Sequence, residues 1–175
     1  MILLITGATH TGKTRLAQRL LEQNNIPYLS MDHVKMGLIR SGNTPLTPYD
    51  DEEMTEYLWP IIREIIKTAI ENGQNLIVEG GYVPADWAKD FSPEYLREIN
   101  FYCLVMTKRY IRAHFDEIVR YASVIEQRGA DEDFTVQTAL DENQRFFAAF
   151  GQENLIVIDD DYEKDMERCL DELEK

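Results

Sequence analysis

Short aliphatic runs alternate along the chain with longer stretches in which apolar residues recur every three or four positions. The runs at 2–5, 27–30, 76–78, 101–106 and 155–158 have the length and aliphatic content of strands buried on both faces of a parallel sheet. Between them, 13–23, 32–40, 50–72, 108–126, 135–150 and 162–174 read as helices, with Asn24-Asn25, Ser41-Gly42-Asn43 and Gly73 as stop signals. Pro60 lacks an amide hydrogen and crowds the preceding turn, so 50–72 is expected to kink, or to divide into two abutting helices, near Trp59. Shorter helical turns are expected at 84–90 and 93–98, and a polar break at Arg128-Gly129-Ala130-Asp131. Strands alternating with helices predict an α/β fold: a mostly parallel five-stranded sheet with helices on both faces, a three-layer sandwich.

A chain of 175 residues fits one domain, 1–175, with a lid or helical hairpin around 108–150. Its 18 Lys plus Arg against 32 Asp plus Glu leave a formal charge of −14, which repels phosphate backbones and anionic lipid and argues against nucleic-acid and membrane partners. The 44% apolar share is too high for a disordered chain. No basic flank precedes the apolar start and no segment reaches the roughly 18 apolar residues of a membrane span, so a cytoplasmic location is expected. The two cysteines, Cys103 and Cys169, form neither a disulfide framework nor a zinc spacing. Asp159-Asp160-Asp161 reads as a solvated turn leading into a helix N-terminus.

The segment Gly7-Ala8-Thr9-His10-Thr11-Gly12-Lys13-Thr14 matches G-x-x-x-x-G-K-[ST], the Walker A pattern, in full. It follows the first expected strand and opens the first expected helix, an arrangement that aims backbone amides and the positive end of a helix dipole at a bound anion. Gly7 and Gly12 permit backbone angles and a close phosphate approach that a side chain would block. Lys13 has the charge to bridge β- and γ-phosphates, and Thr14 carries a hydroxyl suited to magnesium. His10 stands at a variable position and is expected only to line the loop.

The order of phosphate loop, short second strand, acidic helix, Glu-Gly-Gly strand end and late arginine-rich helix resembles the small P-loop kinases of the nucleoside-monophosphate-kinase-like group. Shikimate and gluconate kinases, zeta-toxin kinases and 2-phosphoglycerate-kinase-like proteins belong to it. The resemblance implies a P-loop NTPase fold, ATP and Mg2+ as donor and metal, and a small-molecule acceptor. It implies that Asp32, in Ser30-Met31-Asp32, faces the acceptor hydroxyl, orienting it, taking its proton or holding the metal through water; an N-cap role for the same residue stays open. Lys35 and Arg40 then bind an anionic group of the acceptor, with solvation as the alternative. Glu79, ending the run before Gly80-Gly81-Tyr82, takes the Walker B part, or accepts a hydrogen bond from Thr14 or Lys13 while the glycines make a turn beside the acceptor. Thr14, Asp32 and Glu79 are the candidate metal residues. Lys108, Arg109, Arg112, Arg120 and Arg128 stand where the group carries its lid. Arg109 and Arg112 are favoured to neutralise transferred charge, Arg145 is a contributor from the next helix, and surface pairing with Asp116 and Glu117 is the alternative.

Tyr57, Trp59, Trp87, Tyr95, Phe146, Phe147 and Phe150 read as core aromatics before they read as a base or sugar platform. His33 and His114 lack the spacing of a metal site. The expected activity is ATP-dependent transfer of the γ-phosphoryl group to a small hydroxyl or phosphate acceptor. The alternatives are an ATP-binding regulatory or switch protein without an acceptor, and a toxin-like kinase acting on a sugar nucleotide. Neither the acceptor nor the oligomeric state is legible at this level.

Overall fold

A computed structural model of the chain describes residues 1–121, 134–151 and 154–173. Arg128, the polar break at 128–131 and the side chain of Cys169 lie outside the described residues. The elements in order are β1 (Ile2–Gly7), α1 (Lys13–Asn24), β2 (Tyr28–Ser30), α2 (Met31–Arg40), α3 (Asp51–Glu71), β3 (Leu76–Glu79), a 3-10 turn (Trp87–Asp90), α4 (Pro93–Leu96), β4 (Ile99–Met106), α5 (Lys108–Tyr121), α6 (Val136–Phe150), β5 (Leu155–Ile158) and α7 (Tyr162–Leu173).

The five strands form one sheet in the order β2-β3-β1-β4-β5, and every neighbouring pair is parallel. Each strand is apolar because both faces are covered. On one face Ile2, Leu4, Val78, Cys103 and Val105 pack with Met54, Leu58, Trp59, Ile62 and Ile66 of α3. On the other, Leu3, Ile5, Ile77, Leu104 and Met106 meet Leu16, Ala17 and Leu20 of α1, Tyr110, Ile111 and Ile118 of α5, and Leu140 of α6. Fully burying each such aliphatic side chain contributes on the order of 1.5–3 kcal/mol, so the two clusters hold the three layers together. Among the described residues, no helix is long and apolar enough to cross a membrane.

α3 runs through Pro60 as one helix, not the two abutting helices considered from the sequence. Leu58 and Trp59 before the proline and Ile62 after it are all buried against the sheet, and that packing keeps the helix continuous across a missing hydrogen bond. The backbone break comes instead in α5, at His114 (φ −123°, ψ 18°), where no proline marks it. Helix ends follow local chemistry. Asn25 takes a left-handed conformation (φ 55°) and donates its N–H to the Leu21 carbonyl, ending α1. Thr135 and Thr138 form a capping box before α6. The Asp161 carboxylate accepts the N–H groups of Glu163 and Lys164 at the start of α7, as expected of that acidic turn.

Parallel strands put every carboxyl end on one edge. β1 is central, with β3 on one side and β4 on the other, so the chain changes direction across the sheet beside the end of β1. Such a switch point opens a crevice for a ligand.

Candidate active site

The loop between β1 and α1 is shaped by its neighbours. Gly7 has φ 146°, and a Cβ there would lie 2.2 Å from the Leu104 carbonyl oxygen on β4. Gly12 has φ 88°, and a Cβ there would meet the Tyr162 hydroxyl of α7 at 1.7 Å. Backbone conformation and space thus both demand glycine at these positions. His10, at φ 61°, takes a left-handed conformation without being glycine, and its ring meets Phe134 edge-on at 4.4 Å. The Thr11 hydroxyl donates to the Ala8 carbonyl at 2.7 Å, closing the loop on itself. Lys13 is only 8% exposed, and its Nζ donates to the carbonyls of Gly7 (3.0 Å) and Ala8 (2.8 Å). The first turn of α1 carries no acid, leaving its positive end open to an anion.

Strand register brings the next groups to the same level. Glu79 pairs with Ile5 on one side and Ser30 on the other, so the residues after β1, β2 and β3 emerge together. Glu79 is buried, and its Oε2 accepts from the Thr14 hydroxyl at 3.3 Å, one of the contacts the sequence left open. Hydroxyl and carboxylate are hard oxygen donors of the kind magnesium takes. No group of three or more His, Cys, Asp or Glu suited to a metal occurs among the described residues.

Asp32 is not the N-cap of α2; Ser30 holds that position, without a side-chain cap. Asp32 lies in the first helical turn, where its carboxylate pairs with Lys35 Nζ at 3.0 Å. Lys35 also donates to the Tyr82 hydroxyl, which donates to Asp51 Oδ1 at 3.3 Å. This relay ties α2, the segment after β3 and α3 together. Burial works against the Lys35 charge, yet the Asp32 carboxylate and the Tyr82 oxygen outweigh it and raise the pKa above its ordinary value. Burial pushes the Tyr82 phenol up to about 12. Both protons therefore stay in place at neutral pH.

A cavity of about 360 Å3 opens between the loop and these groups. Of the residues singled out from the sequence it brings together Gly7, Thr9, Lys13, Asp32, Lys35, Gly81 and Arg145. Ala8, His10, Thr11, Gly12, Thr14, Glu79 and Gly80 belong to the loop or the strand end without lining it, and Arg40 is exposed at the far end of α2. Arg109 and Arg112 lie outside it on α5, where Arg109 pairs with Asp159 (2.6 Å) and Asp160, and Arg112 is exposed. Phe146 and Phe150 stack on each other at 5.7 Å and serve both the core and the cavity wall. Cys103 is buried, and burial pushes its thiol up to about 12, which leaves it inert as a nucleophile.

The sequence did not single out Tyr82, Asp51 or Glu142 as site residues. Glu142 accepts both the Thr9 N–H (3.1 Å) and the Thr9 hydroxyl (2.9 Å), linking α6 to the phosphate loop. α6 is held there by buried Asn143, whose Oδ1 accepts the Met106 N–H at 2.7 Å. Thr9 and Glu142 are 133 residues apart, so no local pattern announces the contact. The available signal was helical spacing: Glu142, Arg145, Phe146 and Ala149 follow i, i+3, i+4, i+7 and all face the cavity.

No protein-family model matches the chain, and no curated protein matches it by sequence. Solved structures do. A shikimate kinase from Bacteroides thetaiotaomicron superposes with TM-score 0.59 at 16% identity, over 100% of this chain and 99% of its own. A sugar kinase from Janibacter sp. HTCC2649 gives 0.56 at 18% identity, over 99% and 94%. The shikimate kinase of Aquifex aeolicus gives 0.52 at 16%, over 99% and 96%. With its all-parallel five-stranded sheet and the glycine-rich turn after β1, the chain has the fold of the small P-loop kinases of the nucleoside-monophosphate-kinase-like group.

Proposed function

We propose that the protein is an ATP-dependent phosphotransferase acting on a small molecule bound in the cavity beside the phosphate loop. The observation that carries this reading is the shared cavity: Lys13 and Thr9 of the loop and Asp32 beyond β2 line one volume of about 360 Å3. That volume is at the small end of ligand pockets, which run from roughly 300 to 1,000 Å3, and suits a metabolite more than a macromolecule.

Lys13 and the loop's backbone amides other than those of Ala8, Thr9 and Thr11, which bond to Leu104, Glu142 and Ala8, hold the triphosphate, with the lysine exchanging its loop carbonyls for phosphate oxygens. Thr14 and Glu79 would hold magnesium, which would supply positive charge to offset the negative charge of the phosphates. Asp32 accepts a hydrogen bond from the acceptor hydroxyl and orients its oxygen toward the γ-phosphorus. The acceptor oxygen forms the new P–O bond while the bond to the β,γ-bridging oxygen breaks; ADP departs with that electron pair, and the hydroxyl proton passes to the Asp32 carboxylate. Lys35, held by Asp32 and Tyr82, keeps that carboxylate aimed. Catalysis on this scheme is positioning and preorganised charge.

Transfer from labelled ATP to pooled sugars, amino sugars, hydroxy acids and nucleotides tests the reading. Magnesium-dependent ADP formation that one pool accelerates, and that Lys13→Ala abolishes, is the expected result. Folded protein that takes up neither ATP nor GTP at millimolar concentration with magnesium overturns it.

A further inference from the structure

The charges around the cavity select among acceptors. Asp32 on α2, Asp51 and Glu52 on α3 and Glu142 on α6 bring four carboxylates to its lining, from three helices. Once the loop lysine is assigned to the triphosphate, Lys35 and Arg145 are the remaining cations of the lining. Lys35 is committed to Asp32 and the Tyr82 hydroxyl, and Arg145 lies over the Phe146 ring at 5.8 Å. The acceptor side therefore keeps a surplus of two negative charges, before the donor's own phosphates are added. An acceptor carboxylate or phosphate entering there meets that surplus of like charge. Glu142 sharpens the problem: its carboxylate is fixed on the N–H and hydroxyl of Thr9, at the loop edge that faces the cavity. A triphosphate in the loop sets anion against anion at that edge unless a cation lies nearby.

We propose, building on the kinase reading, that the small molecule bound in this cavity is a hydroxylated amine, such as an amino sugar or amino alcohol. Its ammonium sits between the carboxylates of α6 and α3, and its hydroxyl points to Asp32. The amine stays protonated, so the oxygen, not the nitrogen, is the nucleophile. The same cation screens Glu142 from the donor phosphates and explains how a fixed acid tolerates a bound triphosphate.

Four ligands built on one polyol skeleton test this: the free amine, its N-acetyl form, the neutral hydroxyl form and the carboxylate. Binding to the full chain is measured by calorimetry with magnesium and a non-hydrolysable ATP analogue, and ADP formation is followed in parallel with ATP. The amine is expected to bind about tenfold or more tighter than the neutral form, consistent with a close ion pair. Raised salt should narrow that margin, and so should Glu142→Gln and Asp51→Asn, checked for folding by circular dichroism. Equal or tighter binding of the carboxylate or the neutral form overturns the inference, as does binding of none of the four. Fast ADP formation with the carboxylate alone overturns it while upholding the kinase reading. Tight amine binding with no ADP formed on any acceptor upholds the ligand class and overturns the kinase reading.

Discussion

The two halves of the site are built in opposite ways. The phosphate loop is eight consecutive residues between one strand and one helix, and its lysine and a threonine bond to the loop's own carbonyls. The wall proposed to bind the acceptor is assembled from α2, α3, the segment after β3 and α6, and its central relay runs Asp32–Lys35–Tyr82–Asp51 across three of them. The loop is contiguous in sequence, yet β4, α6 and α7 brace it at Gly7, Thr9 and Gly12; the wall has no contiguous part and exists only when the sheet register and helix docking are complete. Anion binding should therefore respond to changes at the few residues that brace the loop, and acceptor recognition to changes anywhere along the helices that form the wall.

The sharpest break of that contrast is Lys13→Ala, expected to lower turnover by roughly a hundredfold to a thousandfold. Single-turnover kinetics with labelled ATP check it. Asp32→Asn comes next, with about a hundredfold loss of transfer and nearly unchanged ATP affinity. Equal loss of both in a calorimetric titration would make Asp32 part of the scaffold and erase the distinction between the halves. Gly12→Ala tests how far the loop depends on its surroundings. A side chain at φ 88° against the Tyr162 hydroxyl should cost about 1–3 kcal/mol of stability. Removing that hydroxyl with Tyr162→Phe should return part of the loss in a denaturant titration.

The smallest effect is alkaline. Lys35 has a folded pKa above its ordinary 10.5, and Tyr82 rises from 10.0 to about 12. For both, the folded state holds its proton more firmly than the unfolded chain does. Their stabilisation is complete below pH about 10 and is lost as pH rises toward 12. Lys35→Met with Tyr82→Phe should flatten the fall of melting temperature across that window, and an unchanged slope would place the alkaline sensitivity elsewhere.

Much of the architecture was legible because hydrophobic burial is periodic. The five aliphatic runs became the five strands, and the helix between β1 and β2 begins at Lys13 as its periodicity indicated. A division into two helices at Pro60 was read by a local rule, and with Leu58, Trp59 and Ile62 buried on the sheet the helix stays continuous. At Asp32 the N-cap alternative failed because the helix starts one residue earlier, which frees the carboxylate for Lys35. The arginines after β4 were chosen by nearness to a strand end, but Arg109 turns to Asp159 and Asp160 at the end of β5, a strand some 50 residues later in the chain.

The alternation of strand and helix, the phosphate-loop pattern and the acidic surplus are properties of neighbouring residues or of the whole composition, and the sequence alone determined them. Which charges meet across the cavity was decided by tertiary structure, because electrostatic and hydrogen-bond partners are chosen by distance in space. Glu142 reaches Thr9 only once Asn143 docks α6 against the end of β4.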